Sequence, residues 1–250
     1  MRSQPLTQFA VASVVGFSLM ALSLWSTAAY GLTISPVVVE LTPSRRIVSI
    51  TVSNPGDQPV TFQTQTLAWE ETDGLDRYTE TDDLLVVPPI ATLPAGGTQI
   101  FRVTMRTPPS PHEHAYRLIL EDVTEAAETS PGLADAPVTV HINHNLAVFV
   151  AAPGKPQPQP RLGQCRNYTS TSGPRACVQL DNEGNRYVSV KSMIVDGPNL
   201  HLALQGSTRV LAGAWRQWAF DLPPRFAGTL RVTGETSAGT VNFEWQAPGR

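Results

Sequence analysis

Charge is scarce in this chain of 250 residues: Asp, Glu, Lys and Arg make up 16% of it, where an ordinary soluble domain carries about 25%. The formal net charge is −3. A faintly acidic surface has no electrostatic footprint for nucleic acid or an anionic membrane, so neither is expected as a partner. Lysine is nearly missing, with Lys155 and Lys191 alone. Cysteine is confined to Cys165 and Cys177. No segment repeats apolar residues convincingly at the helical period, which disfavours a helical fold. There is no Gly-x-Ser-x-Gly, no phosphate-binding glycine loop and no His-Glu-x-x-His. Nothing therefore points to an enzyme or a nucleotide cofactor. Asp82-Asp83 and Glu70-Glu71 read as solvated turn and strand-end charges rather than a carboxylate pair for catalysis.

Only one long apolar run exists, and it stands at the N-terminus. Arg2 precedes Phe9–Trp25, and small residues follow at Thr27-Ala28-Ala29 and Ala29-Tyr30-Gly31. That order of charge, apolar run and small-residue exit predicts a secretory signal peptide over residues 1–31. An uncleaved membrane anchor is the alternative. One Arg rather than a twin pair implies export in the unfolded state. No later run approaches the ~20 apolar residues of a membrane span, so no membrane anchor is expected after cleavage. In an exported chain Cys165 and Cys177 are expected to pair. A loop that short contributes ~3 kcal/mol, and two sulfurs are too few for a zinc site.

Proline (22) and glycine (18) are plentiful and spread along the chain, as in many short strands joined by turns. Leu32–Leu41 reads as an edge strand that tolerates Pro36. Ile47–Ser53, Val60–Glu70, Leu84–Val87, Thr98–Arg106 and Tyr116–Val123 follow, punctuated by Asn54-Pro-Gly-Asp-Gln-Pro59, Asp73-Gly74 and Leu93-Pro-Ala-Gly-Gly97. Thr124–Asp135 is polar and reads as a loop. Val138–Val150 then alternates with a period of two: Val138, Val140, Ile142, Leu146, Val148 and Val150 share one face, interrupted by His144. Its second half is apolar on both faces at Ala147 and Phe149. Thirteen residues is long for a strand, ~5–6 being usual. A stiff proline-rich linker follows over 153–160. Residues 161–250 repeat the style with six short strands. The fold class is therefore all-β: an immunoglobulin-like sandwich of about seven strands over 32–152 and a smaller sandwich over 161–250.

Several segments carry a resemblance. Leu84-Leu-Val-Val-Pro-Pro-Ile-Ala-Thr-Leu-Pro-Ala-Gly-Gly-Thr-Gln-Ile-Phe-Arg-Val103 is similar to the signature of the periplasmic chaperones of the chaperone–usher pilus pathway, nearest to the archaic-type branch. Val52-Ser-Asn-Pro-Gly56, Tyr116-Arg-Leu118 and Leu146-Ala-Val-Phe-Val150 also resemble that family. So do Leu180-Asp-Asn-Glu-Gly-Asn185 and Leu211-Ala-Gly-Ala-Trp-Arg216 in the second half. The resemblance implies two immunoglobulin-like domains set at an angle, with a cleft between them. It implies a periplasmic chaperone that binds and caps pilus subunits by donating a strand and delivers them to an outer-membrane usher. No cofactor and no ATP would be needed. The donated face would be Val138, Val140, Ile142, His144, Leu146 and Val148, in the manner of β-strand addition.

The family also anchors the subunit's C-terminal carboxylate with a first-strand Arg and a basic residue on the long strand. Here Val38 stands at the first position, and no Lys or Arg lies between residues 133 and 154. Arg102, Arg117 or a protonated His141 are the candidate substitutes. Weaker features read blandly: Arg45-Arg46 as a solvated turn, and His112, His114, His141 and His144 as ordinary histidines rather than metal ligands. Trp215 and Trp218 read as packing residues, with a sugar platform as the alternative. The rival to chaperoning is an exported two-domain structural or adhesive protein that never donates a strand.

Overall fold

The computed structural model describes residues 31–108, 110–125, 140–166, 168, 174–204 and 208–247. Residues 1–30 of the expected signal peptide and the 126–139 stretch, Val138 included, lie outside them. In the first domain the strands are β1 (Thr33–Ser35), β2 (Val38–Leu41), β3 (Ile47–Ser53), β4 (Val60–Thr72), β5 (Leu75–Glu80), β6 (Leu84–Val87), β7 (Ile90–Leu93), β8 (Thr98–Met105), β9 (His114–Asp122) and β10 (His144–Val150). The second has β11 (Pro160–Gln164), β12 (Arg175–Asn182), β13 (Val188–Gly197), β14 (Leu200–Leu204), β15 (Thr208–Val210), β16 (Trp215–Asp221), β17 (Gly228–Thr236) and β18 (Gly239–Ala247). Each domain is a pair of sheets. The first packs β1-β3-β8-β6 on β2-β10-β9-β4-β5, with β7 on β4; the second packs β11-β12-β16 on β14-β13-β17-β18, with β15 on β13.

Alternation decides which face each strand buries. Val48, Ile50 and Val52 of β3 meet Phe101 and Val103 of β8. From the other sheet come Phe62, Tyr116, Leu118, Leu120, Leu146, Val148 and Val150. Each such side chain, fully buried, contributes roughly 1.5–3 kcal/mol. The Tyr116 hydroxyl leaves this core to donate to Asp83 at 3.1 Å. The second core gathers Val178, Leu180, Val190, Met193, Val195, Leu230 and Val232, with Trp218 packed against it.

Two expected strands differ. Leu32–Leu41 is split at Pro36-Val37, so β1 belongs to one sheet and β2 to the other. A proline without an N–H breaks a ladder, and here the chain changes sheets at the break. The strand expected over Val138–Val150 is seen only as His144–Val150. Its partner β9 ends at Asp122, whose N–H is taken by the Asn143 side chain at 3.1 Å.

The two domains repeat one device. Asn54 is 4% exposed and Asn182 1%. Asn54 Nδ2 donates to the carbonyls of Gln58, Leu93 and Pro94, while its Oδ1 accepts Gly56 N–H. Asn182 Nδ2 donates to Arg186, Val210 and Leu211, and its Oδ1 accepts Gly184 N–H. The main chain repeats too: Asn54 N–H donates to Gly97 O, and Asn182 N–H to Ala214 O. One amide thus satisfies otherwise orphaned turn carbonyls in each sandwich. This accounts physically for Asn-Pro-Gly and Asn-Glu-Gly. Gly184 can carry no side chain, since a Cβ there would lie 2.0 Å from Gln157 O.

Cys165 and Cys177 are disulfide-bonded, Cα atoms 5.4 Å apart, tying the end of β11 to β12. Asn54→Ala and Asn182→Ala are each expected to cost about 1–3 kcal/mol by leaving buried carbonyls unpaired. Urea denaturation followed by tryptophan fluorescence would register this as a lowered midpoint with unchanged slope.

Candidate functional site

β10 is paired differently along its two flanks. On one side β9 pairs it throughout, from His144↔Leu120 to Val150↔His114. On the other, β2 runs parallel to it but reaches only Ala147–Val150. Among the described residues the flank of His144–Leu146 has no strand beside it. A pocket of about 460 Å³ opens there, lined by Leu32, Thr33, Ile34, Val37, His144, Asn145 and Leu146. It exists because β1 has left for the opposite sheet. Of its lining, Val37 is 62% exposed, and just before β10 Val140 is 71% exposed and Ile142 58%.

The sequence-predicted strand face divides at this point. Leu146 and Val148 are buried in the domain's own core. Val140 and Ile142 precede the strand and stand in solvent. His144 lies between the two sets. Its ring meets Phe62 edge-on, centroids 5.8 Å apart, and its Nε2 is buried without a partner. Burial pushes the imidazole below its ordinary range, against a smaller opposing pull from Asp122.

Above β10 the same sheet turns its other face to the second domain. Strand register lays Glu40, Phe149, Ala115, Trp69 and Tyr78 in one row across β2, β10, β9, β4 and β5. Phe149 stacks on Tyr187 of the second domain at 4.1 Å, and Trp69, Ala115, Ala147, Phe149 and Leu211 form a small core of their own. Charged groups ring it. Glu40 accepts from Arg186 at 2.5 Å. Glu71, expected as a solvated strand-end charge, instead has a fully buried side chain, because the second domain covers it: it accepts Leu211 N–H at 2.9 Å and Arg216 Nε at 2.8 Å. Asp76 bonds Trp69 Nε1 and also Arg216. The Asp73-Gly74 hairpin tip lies against Trp215, where a Cβ on Gly74 would come 2.7 Å from the ring. Trp215 thus serves this boundary while Trp218 packs in the second core.

The three candidate anchors are not brought together. Arg102 points outward from β8, between the buried Phe101 and Val103. His141 is at the approach to β10, 3.6 Å from Asp122. Arg117 lies in the row next to the Phe149 row, flanked by Ala147 and Leu67. Its guanidinium stands 3.8 Å over the Trp69 ring, and its Nε is buried with no partner. Sequence reasoning missed Arg209. On β15 of the second domain, it lies 5.7 Å from the Phe149 and Tyr187 rings, also with a buried unpartnered Nε. Neither Arg117 nor Arg209 has a carboxylate partner among the described residues. Nothing in the local sequence of Thr208-Arg209-Val210 signals this, because the aromatic faces come from another domain. No group of three metal-ligating side chains occurs among the described residues.

The Pili and flagellar-assembly chaperone, PapD N-terminal domain model matches residues 31–155. A chain of the CsuC–CsuE chaperone–tip adhesion subunit pre-assembly complex, from archaic Csu pili of Acinetobacter baumannii, superposes with a TM-score of 0.64 at 16% identity, covering 86% of this chain and 97% of that one. A chain of the Salmonella enterica SafA pilin–SafB chaperone complex gives 0.57 at 17% identity, covering 89% and 99%. The class 5 fimbriae chaperone CfaA gives 0.55 at 16%, covering 88% and 100%. No curated protein matches in sequence. At these identities the structural likeness is one of fold: two immunoglobulin-like sandwiches.

His144→Leu is expected to stabilise the first domain by about 1 kcal/mol, since it removes a buried polar atom without a partner. The wild-type imidazole is depressed in the folded state, so unfolding takes up a proton and stability falls as pH drops through the unfolded value near 6.5. The advantage of the Leu variant should therefore widen between pH 7.5 and 5.5 in denaturation curves.

Proposed function

The chain belongs to the family of pili and flagellar-assembly chaperones, and on that premise we propose that it caps pilus subunits by lending them the open edge of β10. The observation that carries this reading is the unpaired flank of His144–Leu146, continued by exposed Val140 and Ile142. A subunit sandwich lacking a strand has an apolar groove between two unpaired main-chain edges. An extended segment through Val140, Ile142 and His144 supplies hydrogen bonds to those edges and alternate side chains to the groove. Val138 continues the same parity. Leu146 and Val148 hold the strand in the chaperone's own core while its beginning is lent out. No cofactor or nucleotide enters this scheme: burial of apolar surface and main-chain pairing supply the affinity. Release occurs by exchange for the next subunit's strand.

The subunit's terminal carboxylate is received at the domain boundary. Arg117 is the candidate best supported there, because its guanidinium lies in the cleft face without an ion partner; Arg209 faces the same aromatic cluster from the other domain. Arg102 and His141 stand elsewhere. The family works in the periplasm, and delivery of the capped subunit to an outer-membrane usher completes the proposed pathway. The expected signal peptide over 1–31 would account for export.

Val140→Asp with Ile142→Asp puts two carboxylates into an apolar groove. Binding of a purified pilus subunit should weaken by at least ~100-fold. Thermal stability of the free protein should be unchanged, because both positions are exposed. Tagged wild-type protein drawn from periplasmic extract should retain a small β-rich exported partner that the double variant loses. Recovery of the wild-type protein alone would contradict strand donation and leave an exported structural or adhesive module. Arg117→Ala should weaken subunit binding by roughly tenfold.

A further inference from the structure

Two carboxylates of the first domain are buried against the second, and they are unequally compensated. Glu71 has Leu211 N–H and the Arg216 guanidinium, both within 2.9 Å. Glu113, just before β9, has a side chain only 3% exposed. It accepts Tyr187 N–H at 2.8 Å, and its own N–H donates to Asn185 O at 3.1 Å. Its nearest cation, Arg186, stands off at 3.9 Å. That guanidinium is committed to Glu40 at 2.5 Å instead. From β2, Glu40 thus presents a like charge; from the turn after β12, Arg186 presents a partial counter-charge. On its own segment Glu113 is flanked by His112 and His114, both exposed.

We propose that Glu113 is a proton-operated latch between the two domains: the neutral carboxyl closes the interface around Tyr187, and the carboxylate loosens it. A neutral carboxyl still accepts the Tyr187 N–H through its carbonyl oxygen, and it carries no charge to desolvate. The ionised form must keep a buried charge with one good hydrogen bond and a distant arginine. Burial, reinforced by Glu40 and opposed by the Tyr187 N–H and Arg186, pushes Glu113 up to about 7 from its ordinary 4.5. The closed interface then binds the proton more tightly than an opened one, so acid favours closure. By linkage, the closed-to-open ratio rises about tenfold between pH 8 and pH 6. Glu71–Arg216 remains as the second fastening, about which the domains would pivot. This latch does not depend on what the protein binds.

The test uses the whole mature protein. Carboxyl carbons are followed by NMR from pH 4 to 9, with Glu113 assigned by its disappearance in Glu113→Gln. Hydrogen exchange of the Tyr187 amide, corrected for the intrinsic rate, is measured at pH 6 and pH 8. A midpoint near 7, with Tyr187 protection roughly tenfold higher at pH 6, supports the latch. In Glu113→Gln, which mimics the neutral form, protection at pH 8 should match the wild type at pH 6. A midpoint near 4.5, or Tyr187 protection that does not change with pH, overturns it. The wild-type measurements decide the matter even where Glu113→Gln folds poorly, because Glu113 can then be assigned through its bonded neighbours.

Discussion

Every main-chain N–H and C=O along a strand asks for a partner, and in the first domain β10 is where that demand is half met. Its C-terminal part is paired on both flanks, by β9 and by β2. Its beginning is paired on one flank only. The gap follows from Pro36: once the chain must break its ladder there, β1 goes to the opposite sheet and β2 begins too late to cover His144–Leu146. Proteins ordinarily blunt an open edge with charge, proline or a bulge. Here the edge is bordered by Val37, Val140 and Ile142. An edge left both open and apolar is suited to receive another chain, and the family to which this chain belongs is one of pilus-assembly chaperones.

The same strand, on its other face, organises the boundary between domains. Ala147 and Phe149 meet Leu211 and Tyr187, and the carboxylates of Glu40, Glu71, Asp76 and Glu113 meet Arg186 and Arg216 around them. The first domain thus supplies the acids and the second the bases. β10 therefore couples three surfaces: its own core through Leu146 and Val148, the second domain through Phe149, and the open edge at His144. A change in interdomain geometry would bear on the strand that is proposed to be lent.

Much of the fold was legible because alternation and turn chemistry are local. Val48, Ile50 and Val52 declare their face without any knowledge of β8, and Asp73-Gly74 declares its hairpin. The two halves of the chain each carry an Asn-x-Gly turn, legible as a motif, though only the carbonyls of residues far downstream explain why asparagine is needed. What could not be read is what another element contributes. Val138–Val150 looks continuous in sequence, but the strand starts at His144: beyond Leu120, β9 gives the Asp122 N–H to the Asn143 side chain. Leu146 and Ile142 have the same parity and similar apolarity, yet Leu146 lies within β10 and is buried in the core while Ile142 precedes the strand and is exposed. Arg209 becomes a candidate only when Phe149 and Tyr187 are placed beside it. The cysteine pairing, by contrast, needed only the count of two and the expected export of the chain.

On the proposed function, the edge running from Val140 to Leu146 is the part of this protein that another chain completes. The most direct measurement is amide hydrogen exchange along residues 140–150, with and without a saturating pilus subunit. The amides of 140–146 that point to the open flank should slow markedly on binding, because new main-chain hydrogen bonds protect them, while those of Ala147–Val150, already paired on both flanks, should change little. Unaltered exchange over 140–146 in a saturated complex, with protection appearing on another face instead, would contradict strand donation by β10.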